Sequence, residues 1–296
     1  MDKIDIAIIG GGISGLIAAI HIKELSPERR VTVLEERSYP NKDMTPMLLT
    51  PLARHLLHNI SSYKNFNFNE GRYTVMALKN YDRNVSMETE DTAIIPYSNI
   101  VYVLYQIAVM EGVEIFQKRS VTAIDYNNRI ISIGDEWKLS YKMLINATGM
   151  STVQNKYKVK IDTIFIDEDL QEYPLMLAEK ATAGPGVEVH LQVKQNLPKS
   201  ADSYYSIGDA NGYVDHLTHI NCNLAIISGI YAAENICNNN SIAEYYSSMD
   251  AFKEHILASI HLRSMLKSGN DEINAHLKNI ILYGAETYVD LYRELK

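Results

Sequence analysis

Apolar and polar positions alternate in blocks along this chain, and the blocks read in turn as strands and helices. Ile4, Ile6, Ala7, Ile8 and Ile9 form a short β-branched run, so residues 4–9 are expected as a buried strand. Residues 16–25 continue as a helix, and residues 30–34 as a second strand. Further on, Ile100, Val103, Leu104, Ile107 and Ala108 recur at helical spacing within 94–111, a helix placed after Pro96 and stopped by Gly112. Strands are expected at 113–116, 121–124 and 129–133, the last two joined by an Asn127-Asn128 turn. Two more buried strands, 143–149 and 204–210, close on glycine and on Gly-Asp, and a helix pattern follows from about 223 to 236.

The intervening segments are shorter. They hold a helix at 51–57, an aromatic-rich stretch at 63–81, and strands at 160–166, 175–178 and 187–193. A turn at 182–186, Thr-Ala-Gly-Pro-Gly, separates the last two. From Ser241 the chain reads as helical, with one apolar stripe through Phe252, Ile256, Ile260 and Leu266 and a second over 280–295, broken at Gly269-Asn270. No internal repeat or low-complexity segment is visible.

The first strand runs directly into a G-x-G-x-x-G turn built from Gly10, Gly11, Gly12, Ile13, Ser14 and Gly15. In such a turn the first glycine permits the tight bend, the second lets a pyrophosphate approach the backbone, and the third lets helix pack on strand. The helix N-terminus then offers unpaired N–H groups and a partial positive charge to phosphates. Glu35 ends the second strand twenty positions beyond Gly15, where a carboxylate accepts hydrogen bonds from ribose hydroxyls. Strand, turn, helix, strand and acid occur in order, which makes this a dinucleotide-binding fingerprint.

Bulk properties narrow the picture only a little. The 296 residues suffice for one large or two intimately joined domains. A formal charge of −8 argues against a nucleic-acid or anionic-membrane surface. No long apolar run or signal-peptide pattern is present, so a cytoplasmic protein is expected. Cys222 and Cys237 are too few and too far apart for a C-x-x-C pair or a metal cluster, so no metal site is expected. Tyrosine is abundant, 20 against one tryptophan and five phenylalanines, and pocket tyrosines would present both a ring face and a hydroxyl. Runs such as Tyr204-Tyr205 and Tyr245-Tyr246 read instead as element surfaces.

Three blocks together resemble the glutathione-reductase-like FAD-binding superfamily, on the branch of aromatic hydroxylases and geranylgeranyl reductases. They are the fingerprint with Glu35, the strand end Asn146-Ala147-Thr148-Gly149, and Ile207-Gly208-Asp209-Ala210. The resemblance implies FAD as cofactor, with Asp209 on the ribityl chain and the Val121 backbone at the adenine. It draws Glu36, Arg37, Ala147, Thr148, Gly149 and Gly208 into the cofactor site, with backbone N–H groups of Cys222 and Asn223 facing the flavin. The chain departs from the family pattern after Asp209. His216 replaces a proline, and His219 and Asn221 replace glycines. Histidine exchanges protons near neutral pH, which makes His216 and His219 the catalytic candidates.

No second G-x-G-x-x-G occurs, so NAD(P)H is expected only as a transient electron donor, or a partner reductase supplies electrons. The expected architecture is α/β. A Rossmann-like FAD-binding domain comprises 1–42, 97–155 and 203–240, a small β-rich substrate cap comprises 43–96 and 156–202, and C-terminal helices comprise 241–296. The function expected is FAD-dependent oxidoreduction of a small organic substrate, by a monooxygenase or a reductase. A flavin halogenase is a less favoured variant. The alternatives are a non-redox flavin-dependent cyclase or isomerase and a non-catalytic flavoprotein partner subunit. A homodimer or partner face is expected of the C-terminal stripes only second to packing on the cofactor domain.

Overall fold

The computed structural model describes residues 2–43, 45–60, 71–77, 85–134, 137–149, 157–166, 172–180, 203–215 and 221–268. Its centre is a parallel sheet in the order β6-β2-β1-β9, formed by Glu114–Gln117, Val31–Glu35, Asp2–Ile9 and Trp137–Asn146. β9 then divides its free edge. Its C-terminal end pairs in parallel with β12 (Tyr204–Ser206), while its N-terminal end pairs antiparallel with β8 (Ile130–Ile133), beyond which lies β7 (Val121–Asp125). The parallel strands are therefore ordered 6-2-1-9-12, a doubly wound arrangement whose ligand crevice lies at the carboxyl ends of the strands.

The two faces of this sheet are filled differently. Ile6, Ile8, Val31 and Val33 point to a helical layer containing α1 (Ile13–Leu25), α3 (Tyr97–Met110) and α4 (Cys222–Cys237). Ala7, Ile9 and Leu34 point the other way, onto Ile131, Leu139 and Tyr204 and the half-buried Trp137. That alternation is the period-2 pattern of a sheet buried on both sides. α1 is apolar around most of its circumference because it is enclosed by the sheet and by α3 and α4. The expected α/β fold with a Rossmann-like core is borne out.

A second sheet has the order β11-β10-β4-β5-β3, from Glu172–Lys180, Tyr157–Ile166, Gly71–Ala77, Val85–Pro96 and Pro46–Leu49. Two local expectations change here. Residues 94–96 are strand, paired with 46–48, and the helix begins only at Tyr97. Proline disfavours helix in the residue before it, and edge pairing then wins. β3 itself was not expected, since a four-residue apolar run that opens on proline shows no alternation and carries little periodic signal. After β3, α2 (Pro51–Asn59) starts with Thr50 as N-cap and proline in its first turn. The expected strand at 187–193 and the stripe at 280–295 lie outside the described residues. α5 (Ile242–Ser248) and α6 (Asp250–Ser268) continue the helical layer. Among the described residues no helix is long and apolar enough to cross a membrane.

The α1–α4 crossing depends on Gly229. A Cβ there would sit 2.7 Å from the Ser14 carbonyl oxygen and 3.2 Å from Ile17 Cγ2. Gly229→Ala is expected to push α4 off α1 and cost about 1–3 kcal/mol, the usual range for overpacking. Equilibrium urea unfolding checks this, and an unchanged midpoint would mean that the two helices separate freely.

Candidate cofactor-binding site

The fingerprint turn is wedged between neighbouring strands. Gly10 has φ +100, and a side chain there would run into the Ala147 carbonyl of the β9 end. Its N–H donates to Leu34 O at 2.9 Å, and Ala147 N–H donates to Ile9 O at 2.8 Å. Only glycine meets both conditions. Gly12 is the N-cap of α1 and has no side chain to satisfy the first-turn N–H groups, and no acid stands in that turn. Those donors are thus available to an anion.

Glu35 closes the turn from the other side. Its Oε2 accepts the Gly11 N–H at 2.7 Å and its Oε1 accepts the Arg37 N–H at 2.8 Å. A carboxylate has about four acceptor positions, so capacity for ligand hydroxyls remains. Tyr39 fixes the same turn by donating its hydroxyl to Gly11 O at 2.6 Å. Tyr39 is held in turn by Gln117, which accepts its N–H at 2.8 Å, and by stacking on Tyr105 with ring centroids 4.4 Å apart. Burial, with the Glu35 charge second, keeps the Tyr39 phenol protonated far above its ordinary range.

Two cavities meet at this turn. An outer cavity of about 710 Å³ is bordered by Glu35, Glu36, Arg37, Arg119, Val121 and Thr148, among others. An inner cavity of about 260 Å³ is bordered by Ile13, Ser14, Met47, Asp209, Asn221 and Cys222. Gly12, Tyr97, Ala147 and Gly149 line both. The N-terminal ends of α1, α3 and α4 all open here, as the topology of a doubly wound sheet requires. At α4 the Asn221 side chain accepts the Asp215 N–H at 2.8 Å rather than capping the helix, so the first-turn donors of α4 are also uncapped by it.

In the inner cavity two groups have their charged forms disfavoured by burial. Desolvation pushes the Asp209 carboxyl up to about 6, with no hydrogen bond from the described residues offsetting it. Burial likewise pushes the Cys222 thiol up to about 12, so at neutral pH it is an inert thiol. Cys222 and Cys237 are the first and last residues of α4, roughly 22 Å apart at 1.5 Å per residue, so they cannot form a disulfide.

The residues expected from the sequence therefore divide into three groups. Gly10, Gly11, Gly12, Ile13, Ser14, Glu35, Glu36, Arg37, Val121, Ala147, Thr148, Gly149, Asp209 and Cys222 line one cavity or both. Gly15, Gly208 and Asn223 border neither. Gly15 packs against Gly10 O; Gly208 lies against Ser14 and donates its N–H to Ser228 Oγ at 2.9 Å. The Asn223 side chain accepts from Thr50 Oγ1 at 2.7 Å, tying α4 to the start of α2. His216 and His219 lie outside the described residues. Tyr39, Tyr97 and Arg119 were not anticipated. For Tyr97 a signal existed, since it opens a helix that must begin at the carboxyl edge of the sheet.

Solved structures with this fold include a geranylgeranyl bacteriochlorophyll reductase-like protein from Thermoplasma acidophilum, at 15% identity and a TM-score of 0.68, covering 99% of this chain and 96% of that one. A flavin-dependent brominase follows at 14% identity and a TM-score of 0.66, covering 99% and 98%. A 2-methyl-3-hydroxypyridine-5-carboxylic acid oxygenase follows at 14% and 0.59, covering 91% and 94%. At these identities the likeness is one of fold. No curated protein matches the sequence. Residues 4–170, from β1 through β10 and the whole glycine turn, match the pyridine nucleotide-disulphide oxidoreductase model. That is more than half of the chain, and the protein belongs to the pyridine nucleotide-disulphide oxidoreductase family.

Proposed function

We propose that this protein is an FAD-dependent oxidoreductase acting on a small organic molecule, as a monooxygenase or a double-bond reductase. The observation that carries the reading is the order of polar groups along the joined cavities. Glu35, an acceptor, borders the outer cavity; the uncapped N–H groups at Gly12 occupy the junction; Asp209, a second acceptor, borders the inner one. Acceptor, donors and acceptor complement a ribose, a pyrophosphate and a hydroxyl-bearing chain in that sequence. Gly10 and Gly12 leave the backbone approachable, so the residues present fit FAD.

In this reading Glu35 takes the adenosine ribose hydroxyls, Val121 and Arg119 border the adenine end, and Asp209 takes the ribityl hydroxyls. Bound there, the flavin would supply hydride transfer and, when reduced, reaction with oxygen. The protein's own part is to hold the cofactor, to keep the inner cavity dry, and to place α4's N-terminus beside it. The high thiol pKa of Cys222 and the α4 geometry argue against the disulfide chemistry in the family's name. NAD(P)H would reach the flavin transiently or a partner would supply electrons, and His216 and His219 would serve as proton donors beside the ring. The discontinuous cofactor domain, the cap at 43–96 and 156–202, and the C-terminal helices at 241–296 are the division we propose.

The purified protein, supplied with FAD, is expected to show a flavin absorption band that bleaches on anaerobic addition of NADPH or NADH. Rapid reoxidation in air, with substrate hydroxylation, would identify the monooxygenase; slow reoxidation would identify the reductase. A band that neither nicotinamide bleaches would point to a partner reductase, to a donor substrate or to the non-redox cyclase or isomerase. Gly12→Val is expected to abolish FAD retention by blocking the pyrophosphate approach. A variant that purifies with full flavin would remove the cofactor assignment.

Asp209 makes a separate prediction about pH. Its carboxyl lies near 6 in the folded chain against 3.8 when unfolded, so the folded state binds the extra proton between those values. Stability without cofactor therefore falls as pH rises through that window, by at most about 3 kcal/mol at 1.4 kcal/mol per unit. Asp209→Asn is expected to raise the melting temperature of the cofactor-free protein by several degrees at pH 7.5 and by little at pH 4. The same variant should weaken FAD binding about tenfold by losing a charged acceptor. Thermal scans across pH and fluorescence titration with FAD measure the two effects, and a pH-independent difference in melting would show that Asp209 is solvated.

A further inference from the structure

Gly12 and Tyr97 are two of the four residues that border both the outer and the inner cavity. A Cβ on Gly12 would lie 2.9 Å from the Tyr97 hydroxyl oxygen, which places that hydroxyl over the point of the turn where a phosphate must pass. Tyr97 is the first residue of α3, and its backbone is fixed. Its N–H donates to Thr45 O and the next N–H, of Ser98, donates to Asp43 O, both at 2.8 Å. Burial, followed by the charges of Asp209, Asp43 and Glu35, holds the phenol protonated. It therefore faces the junction as a neutral hydrogen-bond donor.

The cations bordering the cavities lie elsewhere. Arg37 and Arg119 border only the outer cavity, and no lysine or arginine lines the inner one among the described residues. A pyrophosphate at the junction would meet both the backbone N–H groups of the turn and this phenol. We propose that Tyr97 is the pyrophosphate clamp of the cofactor site, a positioning residue that donates its hydroxyl to a phosphate oxygen and closes the junction over the bound dinucleotide. The inference rests on the FAD reading given above and assigns a role within it to a residue of this chain. Burial and the nearby Asp209 and Asp43 charges favour the neutral phenol here, whereas a phenolate would repel the phosphates.

Tyr97→Phe removes one oxygen and no backbone bond. A hydrogen bond to a charged group is lost, so the FAD dissociation constant should rise by about tenfold to a hundredfold. The melting temperature of the cofactor-free protein should stay within about two degrees of wild type, on the order of the change expected from a small substitution in a chain of this size. Wild-type protein that binds FAD while Tyr97→Phe binds within twofold of it would overturn the clamp and leave the cofactor reading standing. Wild-type protein that binds no FAD would overturn both.

A second measurement needs no variant. A site that holds the pyrophosphate by neutral donors in a buried junction should lose little affinity to added salt, about threefold or less between 50 and 500 mM NaCl. A loss of tenfold or more would mean that a cation holds the phosphates, and the clamp would be wrong even if Tyr97→Phe fails to fold.

Discussion

The structure depends on how closely the β1–α1 turn approaches the end of β9. Gly10 sits against the Ala147 carbonyl, Gly15 sits back on Gly10 O, and α1 then lies close enough for Gly229 of α4 to meet the Ser14 carbonyl. These contacts are backbone on backbone, and a methyl group at any of them would force the elements apart. Once they are made, the N-terminus of α1 is aimed along the carboxyl edge of the sheet, with Glu35 on one side and Asp209 on the other. The crevice is thus a consequence of packing. No separate loop has to be folded to make its floor.

The same constraint explains what was legible beforehand. Tight backbone approaches in the turn, and the left-handed backbone of Gly149 (φ +65) and Gly208 (φ +57), need glycine, so all three places leave marks in the sequence. Strands buried on both faces, such as 4–9, leave continuous β-branched runs, and α4 leaves a clear helical pattern ending near Cys237. Those marks placed fourteen of the expected site residues on the cavity walls.

What could not be read depends on contacts between distant segments. Tyr39 closes on Gly11 only because Gln117 and Tyr105, from other elements, hold it. Tyr97 is held at Gly12 by the carbonyls of Asp43 and Thr45, which take up the helix-start N–H groups of Ser98 and Tyr97. A tyrosine in a loop or at a helix start carries no periodic or spacing signature, and with 20 in the chain abundance does not separate one from another. The helix start itself was misjudged at 94 for a related reason. Ile94 and Ile95 fit either an apolar helix face or a strand, and the pairing with Met47 and Leu48 that decides between them is tertiary.

The inner cavity shows what such a site costs the fold. A carboxyl held near 6 by burial, and a thiol held near 12, are groups whose charged forms the protein does not solvate. For Cys222 the cost is nil at neutral pH, because a neutral thiol packs as a small apolar group. For Asp209 it is real, since above pH 6 the carboxylate is ionised where burial disfavours its charge. Packed against protein alone, a carboxyl of that kind is costly to bury. Its position beside three helix N-termini, facing a cavity rather than a packed neighbour, fits a group whose hydrogen-bond partners arrive with a ligand. The destabilised carboxyl thereby favours the occupied state over the empty one, and stability that is missing from the folded chain alone is returned on binding.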